Sequence, residues 1–444
     1  MKKLVVSGLI LFLTISIVTA KNKTIIRNLT LDKAIEIALK ENSQVKIALL
    51  DVNKSQSKLM EAYSSLFPSI SGEGTYIRNI KKPVFFLPDF FGGTGKITPI
   101  EVGSKNSYVG AIKFGVPIFL GQIYTGIVMS HLGIELSNLN YEESLAQIRL
   151  NTTKAFFDVL LTKESMNFIK ETYENAQRNL DNASKLHDAG LISDFELLSA
   201  QVEVEKIKPN LLQAEYTYQT ALNFLKALLN LSVEDSIEVS GSIETFFKLR
   251  TLPVIDQNLI DNTFTMKKLY LQKQITEKNI MMQKWEYFPS LTAFGNYQVQ
   301  TQAENYNFNE YRWVKSASVG LSLTITIFNG FGTRSRVEQA KIQSKQLDET
   351  INYTKKQLDI GIQNARNKME TSLEKIESQK LNKVKARRNY QIAELRYSEG
   401  LSTQLEVSNA NINLLSAELS YLQAIYEYLV AQAELEFYSN KSIN

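Results

Sequence analysis

Two stretches of the chain alternate polar and apolar side chains with a period of two. After Ser290 one face is polar and uncharged, with Phe294 as the exception: Thr292, Asn296, Gln298, Gln300 and Gln302. The other face is apolar or glycine: Leu291, Ala293, Gly295, Tyr297 and Val299. Residues 313–327 alternate in the same way, and this period predicts β-strands. We predict a β-hairpin at about 288–328 and a matching one at about 67–120.

The simplest interpretation of such strands is a soluble antiparallel sheet with one face on a core. The polar face here is uncharged, however, whereas a solvated face usually contains Lys and Glu. Tyr108, Tyr297, Tyr311 and Trp313 lie near predicted strand ends, where an interfacial aromatic girdle would lie. Both features favour membrane-spanning strands. Four strands cannot close a barrel, so several chains would have to form a ring.

Long segments after each hairpin repeat apolar residues every seven positions. Near the C-terminus one stripe is Leu405, Ile412, Leu419, Tyr426 and Ala433, and a second is Leu415, Leu422 and Leu429. A partner stripe is Val337, Ser344, Ile351, Leu358 and Ala365. This period predicts coiled-coil helical hairpins at about 121–230 and 330–438, roughly 75–100 Å long. Pro209 should kink one of these helices.

A shorter helical segment leads into each β-hairpin. The first runs from about Thr30, a plausible N-cap, to Leu66, and the second from about Gln257 to Tyr287. Each ends at a Phe-Pro-Ser sequence, in which Pro68 or Pro289 should stop the helix.

The two halves therefore contain the same elements in the same order. Gly190-Leu191-Ile192-Ser193 also recurs as Gly400-Leu401-Ser402-Thr403. Such self-similarity indicates a duplication. We predict repeats at 21–230 and 257–438, an irregular linker at 231–256 and a tail at 439–444. The first repeat has an additional segment at 83–95, rich in proline, glycine and aromatic residues, which predicts a loop.

The N-terminus is typical of exported proteins. Residues 1–20 have a basic start, an apolar run and a small-residue cleavage site, which predicts a secretory signal peptide. The run is short for the alternative, a membrane anchor. The chain has no cysteine, which excludes disulfides and lipoprotein acylation. Removal of Lys2 and Lys3 lowers the formal net charge from +4 to +2, so no basic excess indicates a nucleic-acid partner.

The duplicated arrangement resembles the TolC family of outer-membrane efflux channels over essentially the whole mature chain. The fold class is then mostly α with a β-hairpin pair, in two tandem repeats. The resemblance implies a homotrimer whose helical hairpins form an α-barrel across the periplasm, joined to a 12-stranded transmembrane β-barrel with four strands per chain. It also implies a passive duct that contacts outer-membrane lipid and docks onto a periplasmic adaptor protein and an inner-membrane pump.

The resemblance also implies roles for residues at the periplasmic tip. Tyr397 matches a tyrosine that tethers the inner helix in the closed state, and Glu196 matches its acidic partner. Glu406 matches the first acid of a ring that lines the constriction. Asn409 and Ser402 stand where the family often has a second acid and a gating arginine, so these two positions depart from its pattern. The tip turns expected to contact the adaptor contain Gly190, Leu191, Ser193, Gly400, Leu401 and Thr403. Exposed carboxylates at helix starts are the simpler interpretation of Glu196 and Glu406.

Signals for other chemistry are weak. His131 and His187 have no metal-ligand pattern around them, although His187 occupies the position of Tyr397 in the first repeat. Residues 92–95 lack the Lys-Ser/Thr ending of a phosphate-binding loop. We expect no enzyme activity, cofactor or metal. The competing interpretation is a secreted coiled-coil stalk or adhesin with a small soluble sheet. The sequence leaves open the exported substrate and the class of pump.

Overall fold

The computed structural model describes residues 25–88, 97–248 and 257–439, so the predicted signal peptide lies outside it. Its helices are α1 (Leu31–Glu41), α2 (Ser43–Ser64), α3 (Gly121–Asp188), α4 (Asp194–Leu228), α5 (Ile243–Phe246), α6 (Gln257–Asp261), α7 (Phe264–Lys284), α8 (Gly332–Ser398) and α9 (Gln404–Ser439). Its strands are β1 (Ile25–Leu29), β2 (Ser69–Arg78), β3 (Val84–Pro88), β4 (Ile97–Glu101), β5 (Asn106–Phe119), β6 (Ser236–Val239), β7 (Ser290–Ala303) and β8 (Val314–Thr324). Within these residues, no helix has the length and apolar character needed to cross a membrane.

The chain divides into two compact units. The first contains β1, α1, α3 from Ile148 onward, α4, β6, α5, α8 from Lys368 onward and α9 as far as Ala433. The second contains α2, β2 to β5, the start of α3, α6, α7, β7, β8 and the start of α8. The tip turns belong to the first unit and the large sheet to the second.

The sheet of the second unit joins both predicted β-hairpins. Its strand order is β2-β5-β7-β8, and each neighbouring pair is antiparallel. The alternating pattern thus predicted the strands correctly. Pairing of β5 with β7 unites the two repeats and leaves β2 and β8 as the edges of this sheet.

Part of the predicted loop at 83–95 is instead a strand. β3 pairs with β4 in a separate two-stranded sheet, so the prediction is wrong for 84–88, while 89–95 lie outside the described residues. Pro83 precedes β3 and Pro88 ends it, positions where proline disturbs a ladder little. The valine, phenylalanine and leucine side chains between them favour extended backbone.

The change from helix to strand in the second unit depends on close packing around Trp285. Pro68 lies between α2 and β2, and Pro289 lies between a 3₁₀ turn at Trp285–Tyr287 and β7. The Trp285 indole donates to the Thr125 hydroxyl at 2.8 Å. A Cβ at Gly121 would lie 2.1 Å from the same ring, so only glycine fits where α3 begins.

The first unit corrects two predictions. The lead-in helix is interrupted at Asn42, whose backbone is extended and whose side chain donates to the carbonyl of Leu228 at 2.9 Å. The predicted irregular linker at 231–256 contains β6, which pairs in parallel with β1, followed by the short helix α5. Ile237 and Val239 of β6 are buried and alternate with exposed residues. Because this alternation covers only four residues, it was too short to be recognised as a strand in the sequence.

The seven-residue stripes are only partly the core of the chain. Val337, Ile351 and Ala365 of α8 are buried, as are Leu422 and Leu429 of α9. Leu405 and Ile412, however, are 63% and 45% exposed. The buried stripe there lies one residue earlier, at Gln404, Asn411, Glu418 and Ile425. Because three of these four residues are polar, a search for repeated apolar residues does not find this stripe. α4 continues through Pro209, and the kink remains a prediction.

Candidate functional site: the tip turns and the faces of the sheet

The turn between α3 and α4 is closed by glycine and capped by serine. Gly190 has a φ of 69°, and the Leu191 amide donates to the carbonyl of Leu186 at 2.9 Å. This is the hydrogen-bond pattern of a helix that ends in a left-handed residue. Ser193 then caps α4 through a reciprocal pair of 3.4 Å hydrogen bonds with Glu196. The Glu196 carboxylate therefore stabilises its own helix start.

The turn between α8 and α9 has the same backbone but a different carboxylate contact. Gly400 has a φ of 72°, and the Leu401 amide donates to the carbonyl of Arg396 at 2.8 Å. The Thr403 hydroxyl accepts from the Glu406 amide at 3.3 Å. The Glu406 carboxylate accepts from the Ser402 hydroxyl at 2.6 Å. Glu406 is thus held by a neighbouring side chain in the turn.

Tyr397 and Glu196 form no hydrogen bond with each other. The Tyr397 ring packs against the buried cluster of Tyr390, Val407 and Ala410. Its hydroxyl is buried and forms no hydrogen bond with the described residues. Burial and, to a smaller extent, the Glu196 carboxylate raise the pKa of Tyr397, so the hydroxyl is neutral at physiological pH. The two residues of the implied tether thus interact electrostatically, without a hydrogen bond between them. Asn409 is exposed on α9.

His187 has a partner that sequence analysis missed. Its Nε2 lies 2.6 Å from Asp194 Oδ1, across the first turn, and its Nδ1 lies 3.7 Å from Asp188 Oδ1. The hydrogen bond to Asp194 raises the pKa of His187, against a smaller opposing effect of desolvation. The position of Asp194, at the start of α4 and seven residues after His187, could have indicated this contact.

An ion-pair network in the first unit was also missed. Glu418 of α9 is 1% exposed and lies 3.0 Å from Lys383 and 2.5 Å from Arg387, both on α8. Lys383 also contacts Glu244 of α5 at 3.0 Å. Burial alone would lower the pKa of Lys383, but hydrogen bonds to Glu418 and Glu244 raise it. In the sequence these charges resemble an ordinary solvated helix face.

The large sheet has two chemically different faces. We call the first the apolar face, and its exposed members include Ile70, Tyr76, Ile112, Phe114, Tyr297, Val319, Leu321 and Leu323. Val319 is 90% exposed. The other, polar face consists largely of Ser, Thr, Asn and Gln. An exposed apolar sheet face of this size indicates a surface that contacts lipid or another chain.

Phe294, the exception on the polar face, lies between glycines on both neighbouring strands. It is in register with Gly115 of β5 and Gly320 of β8. A Cβ at Gly320 would lie 2.8 Å from the tip of the Phe294 ring. The ring therefore lies over Gly320 instead of standing away from the sheet.

Aromatic residues gather at the end of the sheet remote from the helix junctions. Tyr76 and Tyr108 stack with ring centres 4.9 Å apart, and Tyr108 lies 5.6 Å from both Phe308 and Tyr311. Tyr297 does not belong to this end. It lies in the middle of β7, because that strand continues to Ala303, so its predicted placement near a strand end is wrong.

Comparisons with known proteins agree with this arrangement. The family model described as outer membrane efflux protein matches residues 34–231 and 256–441. The outer membrane protein TolC of Escherichia coli K12 is 20% identical over 411 residues, which cover 89% of this chain and 79% of TolC. The cobalt-zinc-cadmium resistance protein CzcC of Cupriavidus metallidurans is 22% identical over 399 residues, or 89% of this chain and 86% of CzcC.

Solved structures have the same fold. The Campylobacter jejuni CmeC outer membrane channel matches with a TM-score of 0.71 at 18% identity, over 92% of this chain and 85% of CmeC. CusC matches with a TM-score of 0.74 at 16% identity, over 93% of this chain and 92% of CusC. The family consists of transport channels and not of enzymes. Because the family model covers both repeats, the chain belongs to the outer membrane efflux protein family of TolC-like channels, located in the outer membrane and extending into the periplasm.

Proposed function

We propose that this chain forms the passive exit duct of a tripartite efflux or type I secretion system. The duct spans the outer membrane and the periplasm and opens at its periplasmic tip when it docks onto an adaptor protein and an inner-membrane pump. The observation that most strongly supports this proposal is the exposed apolar face of a four-stranded sheet opposite a polar face. Lipid would cover the first face and water the second.

The edges of the sheet support a homotrimer. β2 and β8 each have a sheet neighbour on one side only. Unpaired strand edges are not tolerated in hydrocarbon, so each β8 would pair with the β2 of another copy. Three copies would supply twelve strands and close the barrel.

The helices support the same assembly. One side of α4 is buried in its own unit through Val204 and Ile207. A second apolar stripe lies on the opposite side and is exposed: Phe195, Leu198, Val202, Leu212 and Tyr216. Its spacing is that of a helix-packing seam, and a neighbouring copy would cover it.

The tip turns are the proposed contact for the adaptor. Leu191 and Leu401 are both exposed in the turns that Gly190 and Gly400 close. Ser193 and Thr403 fix the helix starts beside them. Two similar, capped turns with an apolar side chain at each apex would give an adaptor helix a repeated docking surface.

The proposed gate lies beside these turns. Three copies of Glu406 around a narrow axis would create a negative potential that favours cations. The hydrogen bond from Ser402 would orient each carboxylate, while Asn409 adds no charge. Tyr397 and Glu196 would hold the inner helix in the closed state of the assembly, whereas among the described residues of the single chain the Tyr397 hydroxyl has no hydrogen-bond partner.

Planar-bilayer recording tests the proposal. We expect the purified, detergent-extracted trimer to give discrete conductance steps, and Glu406→Ala to weaken both cation preference and block by multivalent cations. A protein that stays soluble without detergent and gives no conductance would overturn the duct and favour the stalk or adhesin. Conductance with an unchanged reversal potential in Glu406→Ala would remove only Glu406 from the constriction.

A further inference from the structure

Two opposite charges lie on the otherwise uncharged polar face of the sheet. Within the described strands β2, β5, β7 and β8, Glu73 and Lys113 are the charged residues of this face. Arg78 and Lys315 belong to the opposite, apolar face by the same register. Glu73 is opposite Ala111 and Lys113 is opposite Ser71, so the two side chains are diagonal neighbours on adjacent strands.

Glu73 and Lys113 form a direct ion pair. The Thr75 hydroxyl lies 3.5 Å from the second carboxylate oxygen of Glu73. Residues 71, 75, 296 and 298, which surround the pair on β2 and β7, are uncharged. Each charge therefore has the other as its one ionic neighbour on this face of the described sheet.

Stability does not account for the pair. The side chains of Lys113 and Glu73 are 57% and 54% exposed, and exposed ion pairs contribute little to stability. The pair lies midway along its strands, with Glu73 on the edge strand β2 and Lys113 on the interior strand β5. A charge on the water-filled side of a low-dielectric wall has a strong effect on passing ions, since the wall focuses its field.

We infer that Glu73 sets the ion preference of the strand section, the part of the pore lined by the polar face of the sheet, by neutralising Lys113. This inference rests on the proposed function, since it requires that the polar face lines the pore. In a trimer the pair would occur three times at one level, where it would present dipoles and no net charge. The strand section would then pass anionic and cationic substrates without sorting them, and selection would be confined to the tip.

Single substitutions should shift the ion preference in opposite directions. In planar bilayers under a KCl gradient, we expect Glu73→Gln to expose three lysines and raise the chloride-to-potassium permeability ratio by about twofold or more. Lys113→Gln should lower that ratio by a similar factor. Glu73→Gln combined with Lys113→Gln should return it to the wild-type value. Lys315→Gln, on the apolar face, is the control and should have no effect.

Two single-cysteine variants test independently which face of the sheet lines the pore, since the chain has no cysteine of its own. Ser71→Cys lies on the polar face beside Lys113, and Ile70→Cys lies on the apolar face. A charged, membrane-impermeant thiol reagent should change the current through Ser71→Cys channels and leave Ile70→Cys channels unaltered. This measurement tests the position of the polar face even if a variant of Glu73 or Lys113 fails to assemble, because both charges are retained in the cysteine variants.

Unchanged reversal potentials in both single variants, or shifts of the same sign, would overturn the inference. Equal modification of both cysteine variants would overturn it as well. Either result in conducting channels leaves the duct itself intact. Absence of conductance from the wild-type protein would instead overturn the proposed function.

Discussion

Residue 402 is a serine where the first repeat has Ile192, and this difference changes the contacts of the first-turn carboxylate. In the first repeat Glu196 bonds back to the amide of its cap, Ser193. In the second, the Ser402 hydroxyl donates to Glu406 instead. The caps and the glycine turns are otherwise alike. A single hydroxyl thus gives the Glu406 carboxylate a side-chain partner, whereas the Glu196 carboxylate accepts from the backbone amide of its cap.

The contact between His187 and Asp194 makes the first turn sensitive to pH. The pKa of His187 is raised above its ordinary value near 6.5, chiefly by the hydrogen bond to Asp194. The folded-state pKa is therefore higher than the unfolded-state pKa. The resulting stabilisation of the turn is fully present below about pH 6.5 and is lost as the pH rises through the folded-state value.

Asp194→Asn should return the pKa of His187 close to its ordinary value. The chain has only two histidines, so ring-labelled histidine NMR with a His131→Gln variant for assignment can follow the titration. Asp188→Asn is the matched control, and its effect should be smaller, because Asp188 lies 3.7 Å from the ring and Asp194 lies 2.6 Å from it. Equal effects of the two substitutions would contradict the assigned contact.

At the scale of elements, the network around Glu418 fixes α5 against α8 and α9. Glu418→Ala would leave Lys383 without its buried anion and Arg387 without its partner. Breaking a buried pair typically costs 3–5 kcal/mol, and the partial exposure of both cations reduces this to about 2 kcal/mol. Denaturant unfolding of the detergent-solubilised protein, followed by helical circular dichroism, measures the loss.

Glu427→Ala provides the comparison on the same helix. Glu427 pairs with Lys375 at 3.1 Å, and the lysine is half exposed. Exposed pairs contribute about 1 kcal/mol or less, so this substitution should cost clearly less than Glu418→Ala. If the two variants were equally stable, the Glu418 network would not contribute as a buried unit.

The sequence predicts the helices and strands better than it predicts which of their side chains are buried or in contact. Period-two alternation located β7 and β8, and the seven-residue stripes located α8 and α9, because both periods follow from backbone geometry. Apolarity alone could not distinguish Leu405, which is exposed, from its buried neighbour Gln404. The contacts of Glu418 depend on packing between segments distant in the chain, which no local pattern specifies. β3 was missed because its flanking prolines outweighed its apolar residues.

At the scale of the whole molecule, unpaired surfaces recur on both units. The sheet has two open edges and an exposed apolar face, and α4 has an exposed apolar stripe opposite its buried side. Each surface would be costly for a protein that stays a monomer in water. The assembly proposed above would account for all of them, because neighbouring copies would cover the edges and the stripe, and lipid would cover the apolar face.

The stripe on α4 allows a direct test of that assembly. Leu198 is 59% exposed in the single chain, and Leu198→Glu would place a carboxylate in the seam proposed between copies. We expect this variant to fold but to lose the trimer, because burying an unpaired charge there costs several kcal/mol at each of three contacts. Asn210→Glu adds the same charge at another exposed position of α4, on a different side of the helix from Leu198 and Leu212, and should remain trimeric. Light scattering of the detergent-solubilised proteins gives their mass. A trimeric Leu198→Glu variant would show that the stripe is covered by something other than a second copy of this chain.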